Sequence, residues 1–318
     1  MPDHPNPFRR FVGCDVGKAS LVFFEPGNDC TQTIANRRAD IEAFAGTLDA
    51  QCLLVCEATG GHEALLLSVL SEQAIPAHRA DARKVKAFIR SFGILGKSDD
   101  IDARQLWNYA KERHASLPLW REPGQNSQKL QALVLARQDM VADRVAWTNR
   151  LKAPGAGHAG THFEAVLTCI REQIAAIEAA IAALIKDTAQ LRQAEQVLSD
   201  IQGIGATTAA TLLALMPELG SLDRRKAAAL AGVAPHPKRS ATTVGYQRTR
   251  GGRPQVKKAL FLAAMSASKC NPQLRPTYER LIKDGKKPMV ALTAVMRKLI
   301  VIANAKLRDA FQTAPPVN

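Results

Sequence analysis

The stretch RFVGCDVGKASLVFFEP, residues 10 to 26, gathers apolar residues around Val12 and again from Leu21 to Phe24, with Gly17 between the two groups. Two short apolar runs divided by a glycine turn read as strand, turn, strand. Working outward, CTQTIAN (30–36) reads as a third strand, and RADIEAFAGTL (38–48) has helical spacing at Ile41, Phe44, Ala45 and Leu48. QCLLVCEATGG (51–61) is a short apolar run closed by Gly60-Gly61, so it reads as a buried strand ending near Glu57. HEALLLSVLSEQAI (62–75) is then a helix, PAHRA (76–80) a strand, and Ser98 to about Arg113 a further helix with Ile101, Leu106 and Tyr109 as apolar positions. Strands alternating with helices predict an α/β domain with a mixed sheet.

The middle of the chain changes rhythm. Phe163, Leu167, Ile170, Ile174, Ile177, Ile181 and Leu184 follow steps of four and three, a coiled-coil heptad, with Leu191 and Leu198 continuing it and Thr188 and Glu195 weakening it. Residues 127–152 form another long helical pattern, and APGAGHAG separates the two. A helical hairpin is the simplest picture, and an exposed seam would invite a second chain. From Ser199 the chain reads as helix-rich, ending in one long buried-type helix over PMVALTAVMRKLIVIANAKLRDAF. The expected organisation is therefore residues 1–122 as an α/β domain, 123–198 as a helical hairpin or coiled coil, and 199–318 as a mostly α domain.

Composition selects partners. The 318 residues carry a formal net charge of +14, with a hydrophobic fraction of 46% that is ample for a core. Such a charge points to nucleic acid first and an anionic membrane surface second. The N-terminus lacks the apolar segment of a signal peptide, no apolar run approaches ~18 residues, and the six cysteines are scattered, so the expectation is a cytoplasmic protein with reduced thiols and no membrane span. His158 and His162 lie in a Gly-rich segment without Cys or Glu beside them and read as a solvated loop.

Against this basic background, KSDDIDARQL (97–106) concentrates three aspartates. On a helix Asp99 and Asp102 share a face while Asp100 points elsewhere. One reading is an N-terminal turn with Ser98 as N-cap, where acids suit the helix dipole. The other draws in Asp15, at the end of the first strand, and Glu57, at the end of another. Four carboxylates from two strand ends and one helix face can hold two Mg²⁺ ions ~3.5–4 Å apart, with a phosphodiester supplying further oxygens. That ordered set is the ribonuclease H-like arrangement.

The C-terminal third carries a second constellation. No Asp or Glu occurs from residue 224 to residue 278, while Lys238, Arg239, Arg248, Arg250, Arg253, Lys257 and Lys258 do, which makes a phosphate-binding surface the better reading than a solvated face. Ser240 stands among them between Pro-bounded and Gly-rich turns. It is either a turn residue or a nucleophile whose neighbouring cations stabilise charge on an attacked phosphate. Gly203 and Gly205 precede an Ala-rich helix and either leave helix N–H groups open to a phosphate or form an ordinary turn.

GCDVGKAS, VCEATGGHE and KSDDIDARQL, with LAGVAPHPKRS, GGRPQVKKALFLAAMSASKCNP, YERLIKDGKKP and MVALTAVMRKLIVIANAKLRD, resemble the DEDD-type transposases of insertion-sequence family one-hundred-and-ten, including its eleven-eleven subgroup. The resemblance covers nearly the whole chain. It implies a RuvC-like N-terminal domain whose acids, here Asp15, Glu57, Asp99 and Asp102, bind Mg²⁺ or Mn²⁺. It also implies a C-terminal transposase domain whose serine, here Ser240, links covalently to DNA. It further implies a bridge RNA pairing with target and donor DNA, and a tetramer, a dimer of dimers, acting at the bacterial nucleoid. The family carries Gly after the serine, and this chain has Ala241. Ala disfavours positive φ. Two rivals differ in chemistry: a Holliday-junction-type metal nuclease would use the four acids without a covalent serine intermediate, and a nucleic-acid-binding descendant of a transposase would bind without cutting. A sugar-kinase or actin-like fold would need further Gly-rich nucleotide loops in the second half.

Overall fold

The computed structural model describes residues 8–27, 31–93, 98–240 and 243–312; for 237–240 and 243–247 it describes the backbone alone. The chain divides into two compact units, Met1–Pro123 and Gly124–Asn318.

The first unit is built on five strands, β1 (Arg10–Val16), β2 (Ser20–Phe24), β3 (Gln32–Ala35), β4 (Cys52–Glu57) and β5 (Ala77–Ala80), in the order β3-β2-β1-β4-β5. β1, β2 and β3 run antiparallel in sequence, and β4 and β5 extend the sheet in parallel with β1. The sheet is mixed, as the alternation predicts. Residue parity divides its two faces, because successive side chains point opposite ways. Val12, Cys14, Val16, Leu54 and Cys56 pack with Ile41 of α1 (Arg38–Ala45) and with Leu66, Leu67 and Leu70 of α2 (Ala64–Glu72). Leu53 and Val55 face the other way, onto Val85 and Phe88 of α3 (Ala82–Ser91) and Leu106 and Tyr109 of α4 (Asp99–Arg113). Phe24 and Val22 meet Ala103 and Trp107 on that same side. Burial raises the thiols of Cys52 and Cys56 to about 12, against the lowering effect of Arg10 on the first and Arg79 on the second, so both stay protonated in the core.

The second unit is helical around a two-stranded ribbon. α5 (Gln125–Leu151) and α6 (Gly160–Asp187) form an antiparallel pair, as three contacts along its length establish. Asn126 donates to Thr188 at 3.0 Å, Arg137 pairs with Glu178 at 2.6 Å, and Trp147 meets Phe163 with ring centroids 5.6 Å apart. Leu167, Ile170, Ile174, Ile181 and Leu184 of the four-three seam are all buried within this single chain. The rhythm is interrupted at Thr188, whose extended backbone (φ −104°, ψ 107°) ends α6 and starts α7 (Ala189–Ser199).

α5 to α7 share one core with α8 (Ala206–Leu215), α9 (Arg224–Leu230), α10 (Pro254–Cys270) and α12 (Pro288–Gln312); Leu130, Ile185, Leu198, Leu212, Leu260 and Leu299 are among its members. α11 (Arg275–Lys283) packs beside α12. By length and composition alone α12 is apolar enough to cross a bilayer, a test that the core helix of a folded protein also passes. Its Val295, Leu299, Ile300 and Leu307 are instead buried in the core.

Where the sequence reads as turns around Ser240, the backbone forms a hairpin of β6 (Pro235–Ser240) and β7 (Thr243–Thr249). The β-branched and aromatic residues of TVGYQRT favour a strand. The register shifts between His236 and Lys238, at Pro237, which has no N–H for the ladder.

Candidate active site

Strand parity and register bring the two strand-borne acids together. β1 and β4 run parallel with Gly13 opposite Val55 and Cys14 opposite Cys56, so the next residue along each strand is Asp15 and Glu57. Both belong to the parity that faces α4 rather than α2.

Gly13 determines how close α4 comes. A Cβ at position 13 would collide with the Ala103 carbonyl oxygen and the Trp107 backbone nitrogen, so helix backbone lies directly on strand backbone. Ala103 is fully buried there. Asp99 and Asp102 occupy the turn of α4 just before this contact. Ser98 caps that turn, its hydroxyl accepting from the Ile101 N–H at 3.2 Å. Asp100 turns to another partner and accepts from the Thr31 hydroxyl.

Electrostatics binds the four acids into one neighbourhood. Burial, then Asp102, Asp99 and Glu57 in that order of repulsion after it, raise the Asp15 carboxyl from 3.8 to about 6, against a backbone N–H at Val16 that lowers it. Four hard carboxylates that resist a shared negative charge suit a divalent cation by donor chemistry. Among the described residues, however, no three His, Cys, Asp or Glu side chains are set to hold one metal ion. The donors fit the cation in kind, and their side chains must still converge on it.

Glu63 is the residue of this region that sequence reading passes over. Its side chain is 3% exposed, and it grips the loop that follows Glu57 by accepting from the N–H groups of Thr59 at 3.1 Å and Gly61 at 3.0 Å. Arg79 on β5 completes the set at 2.6 Å. Burial would raise the Glu63 carboxyl, but the backbone N–H groups and Arg79 outweigh it and hold it below the usual range. The sequence signal was an acid inside GGHEALLL, read only as the start of a helix. Asn36 ties the same loop to the first hairpin, donating to the carbonyls of Gly17 and His62, each at 3.1 Å.

The basic constellation lies in the second unit, and its members differ in what they do. Arg253 turns inward: it donates to the Leu215 carbonyl at 2.6 Å and forms a two-pronged pair with Glu218 at 2.6 and 3.0 Å. Lys257 donates to Thr249 at 3.0 Å, and Arg248, Arg250 and Lys258 are surface groups. Gly203 has a packing reason, with φ +106° and a would-be Cβ 2.9 Å from the Ala267 Cα. Gly205 precedes α8 as its N-cap and faces open space. The side chains of Lys238, Arg239 and Ser240 lie outside the described residues, as does Ala241. Backbone pairing sets Ser240 opposite Thr243, at the closed end of the hairpin. The His236 Nε2 faces the Arg250 carbonyl at 3.3 Å.

Residues 12–154 match the model for DEDD transposases of IS110 elements, described as Transposase, and residues 195–279 match the model described as Transposase IS116/IS110/IS902 family. The chain belongs to the IS110 family of transposases. It is therefore a DNA transposase or recombinase, and membership implies DNA substrates and the use of a divalent metal. This IS110-family chain is 26% identical to the Pilin gene-inverting protein of Moraxella lacunata across 95% of its own length and 96% of that protein. It is 27% identical to the protein of the same name from Moraxella bovis, with the same coverage. Against the Insertion element IS110 uncharacterized 43.6 kDa protein of Streptomyces coelicolor it is 36% identical over 45% of this chain and 35% of that one.

Proposed function

We propose that this transposase cuts and rejoins DNA through a ribonuclease H-like metal centre of Asp15, Glu57, Asp99 and Asp102 working with Ser240 as nucleophile. The observation that carries the reading is the register of β1 with β4, which sets Asp15 and Glu57 on the sheet face that α4, with Asp99 and Asp102 in its first turn, lies against at Gly13. Mg²⁺ or Mn²⁺ held there would draw charge from the scissile phosphate and favour its attack.

The chain's own residues do the rest. The Ser240 hydroxyl attacks phosphorus; the Oγ–P bond forms as one P–O bond to deoxyribose breaks. The hydroxyl proton passes to base or solvent, and the departing deoxyribose oxygen takes one up. The phosphodiester energy is kept in the serine ester, so a second strand's hydroxyl can reverse the step without an outside energy source. Lys238 and Arg239, next to the serine in sequence, share charge on the attacked phosphate, while Arg248 pairs with His236 at the other end of the hairpin. The acids belong to the first unit and Ser240 to the second, so the reaction requires them to be brought together, within one chain or between protomers of a tetramer. A bridge RNA pairing with target and donor DNA supplies the sequence choice, and the α5–α6 pair is the candidate coiled-coil element for assembly. A protein acting on the chromosome in this way works in the cytoplasm, at the nucleoid. The inversion named in the Moraxella relatives fits the same chemistry, since excision, insertion and inversion differ in how the ends are arranged.

Trapping the reaction with denaturant and mapping the DNA-linked peptide tests the proposal. An adduct on Ser240, lost in Ser240→Ala and in each Asp→Asn or Glu→Gln change at the four acids, is expected. Metal-dependent cleavage without any adduct would convert the reading to a hydrolytic junction nuclease.

A further inference from the structure

The second unit contains a groove that the acid-and-serine chemistry does not use. Its volume is about 1460 Å³, above the ~300–1,000 Å³ of an ordinary small-molecule pocket. Arg224 and Arg225 of α9 and Arg248 of β7 stand along it. Arg280 of α11, Lys286 and Lys287 of the following turn, and Arg297 and Lys298 of α12 add to these cations, and no Asp or Glu lines the groove among the described residues. Arg280 pairs with Asp284 at 3.3 Å, and Lys298 is held by a neutral partner, the Thr277 hydroxyl at 2.8 Å. Between the cations the floor is apolar: Leu274, Leu281, Val290, Val301, Ile302 and the 58%-exposed Met289.

We infer that this groove holds an unpaired DNA strand leading to Ser240, an inference that rests on the serine reading above. The lining asks for an occupant with repeated negative charge and apolar surface to bury. A duplex exposes phosphates, sugars and base edges but keeps its base faces stacked inside, so it offers the apolar floor little to bury. An unpaired strand offers phosphates to the cations and base faces to the floor. The hairpin supplies the direction. Arg248 pairs with His236 at the base of β6–β7, and Ser240 lies at the closed end, four residues along β6 from His236 and roughly 13 Å further at ~3.3 Å per residue. A strand leaving the groove past Arg248 and Thr249 would run alongside that hairpin.

The test measures binding alone, with EDTA present and in the full-length Ser240→Ala protein, so its outcome is independent of adduct formation. Fluorescence anisotropy compares an unpaired DNA oligonucleotide, its RNA counterpart and the blunt duplex for Lys287→Glu/Arg297→Glu. Affinity for unpaired DNA is expected to fall about tenfold or more, and the salt dependence to weaken by about 1.4 in slope for two lost phosphate contacts. Duplex affinity is expected to stay within about twofold. Unchanged binding of unpaired DNA, an equal loss on the duplex, or a loss confined to RNA overturns the inference. A second measurement needs no groove variant. DNA carrying 4-thiothymidine, irradiated on the protein, should crosslink to peptides that carry the groove lining, within residues 224–249 or 273–302, and crosslinks confined elsewhere overturn it.

Discussion

At position 13 the absence of a side chain is what brings helix and strand together. Gly13 lets α4 lie against β1, and with it the turn that holds Asp99 and Asp102. Gly13→Ala should cost about 1–3 kcal/mol in chemical denaturation, the range for overpacking. It should also reduce cleavage while nucleic-acid binding persists; a variant with full cleavage would break the link between this contact and the site. Asp15 gives a pH signature. Its carboxyl is raised to about 6 by burial and then by its acidic neighbours, so the folded state binds its proton more tightly than the unfolded chain and ionisation opposes folding. The penalty is absent below about pH 4, the unfolded value, grows as pH rises, and is complete above about 6. In EDTA, Asp15→Asn should therefore melt higher than wild type near pH 7, with the gain gone near pH 4. Added Mg²⁺ should raise the wild-type melting temperature and leave the variant's nearly unmoved. Arg253 belongs to a different class: Arg253→Ala and Glu218→Ala should each lower the melting temperature, and the double mutant should fall by less than their sum because the pair is shared.

At the scale of elements, the four-three seam makes the firmest claim. Ile181 and Leu184 are buried against the chain's own core, so Ile181→Ala should cost about 2–5 kcal/mol, read by denaturant titration. A substitution there that changed oligomeric mass without changing stability would show the seam to be an interface instead. These elements also mark how far the sequence could be read. The strands at 10–24 and 52–57 and the first turn of α4 were legible because apolar runs, glycine breaks and the Ser98 cap are local signals. α3 was passed over although Asp81 caps it through the Arg83 N–H and Val85 and Phe88 sit three apart, a pattern muted by the basic residues between them. β6 and β7 were hidden because Pro235, Pro237 and Gly245 interrupt the segment and short ribbons have little burial to impose a period. Gly13 could not be read at all: a glycine inside a strand signals weakness locally, and the helix that needs its space lies some ninety residues on.

At the scale of the molecule, the Met1–Pro123 and Gly124–Asn318 units each have their own core, and Leu117–Gly124 between them carries no regular structure. Limited trypsin digestion should cut first near the exposed Arg121 and leave two resistant fragments, checked by mass spectrometry. Diffuse cleavage throughout either unit would argue against its independence. The same division has a meaning in genetics. Because the acids and Ser240 are encoded in separate halves of one reading frame, a lesion in either half leaves the other half's contribution whole. Two dead alleles, one Asp15→Asn and one Ser240→Ala, should then rescue each other when expressed in the same cell if the halves meet between protomers. If they meet within one chain, no mixture of the two alleles can recombine DNA.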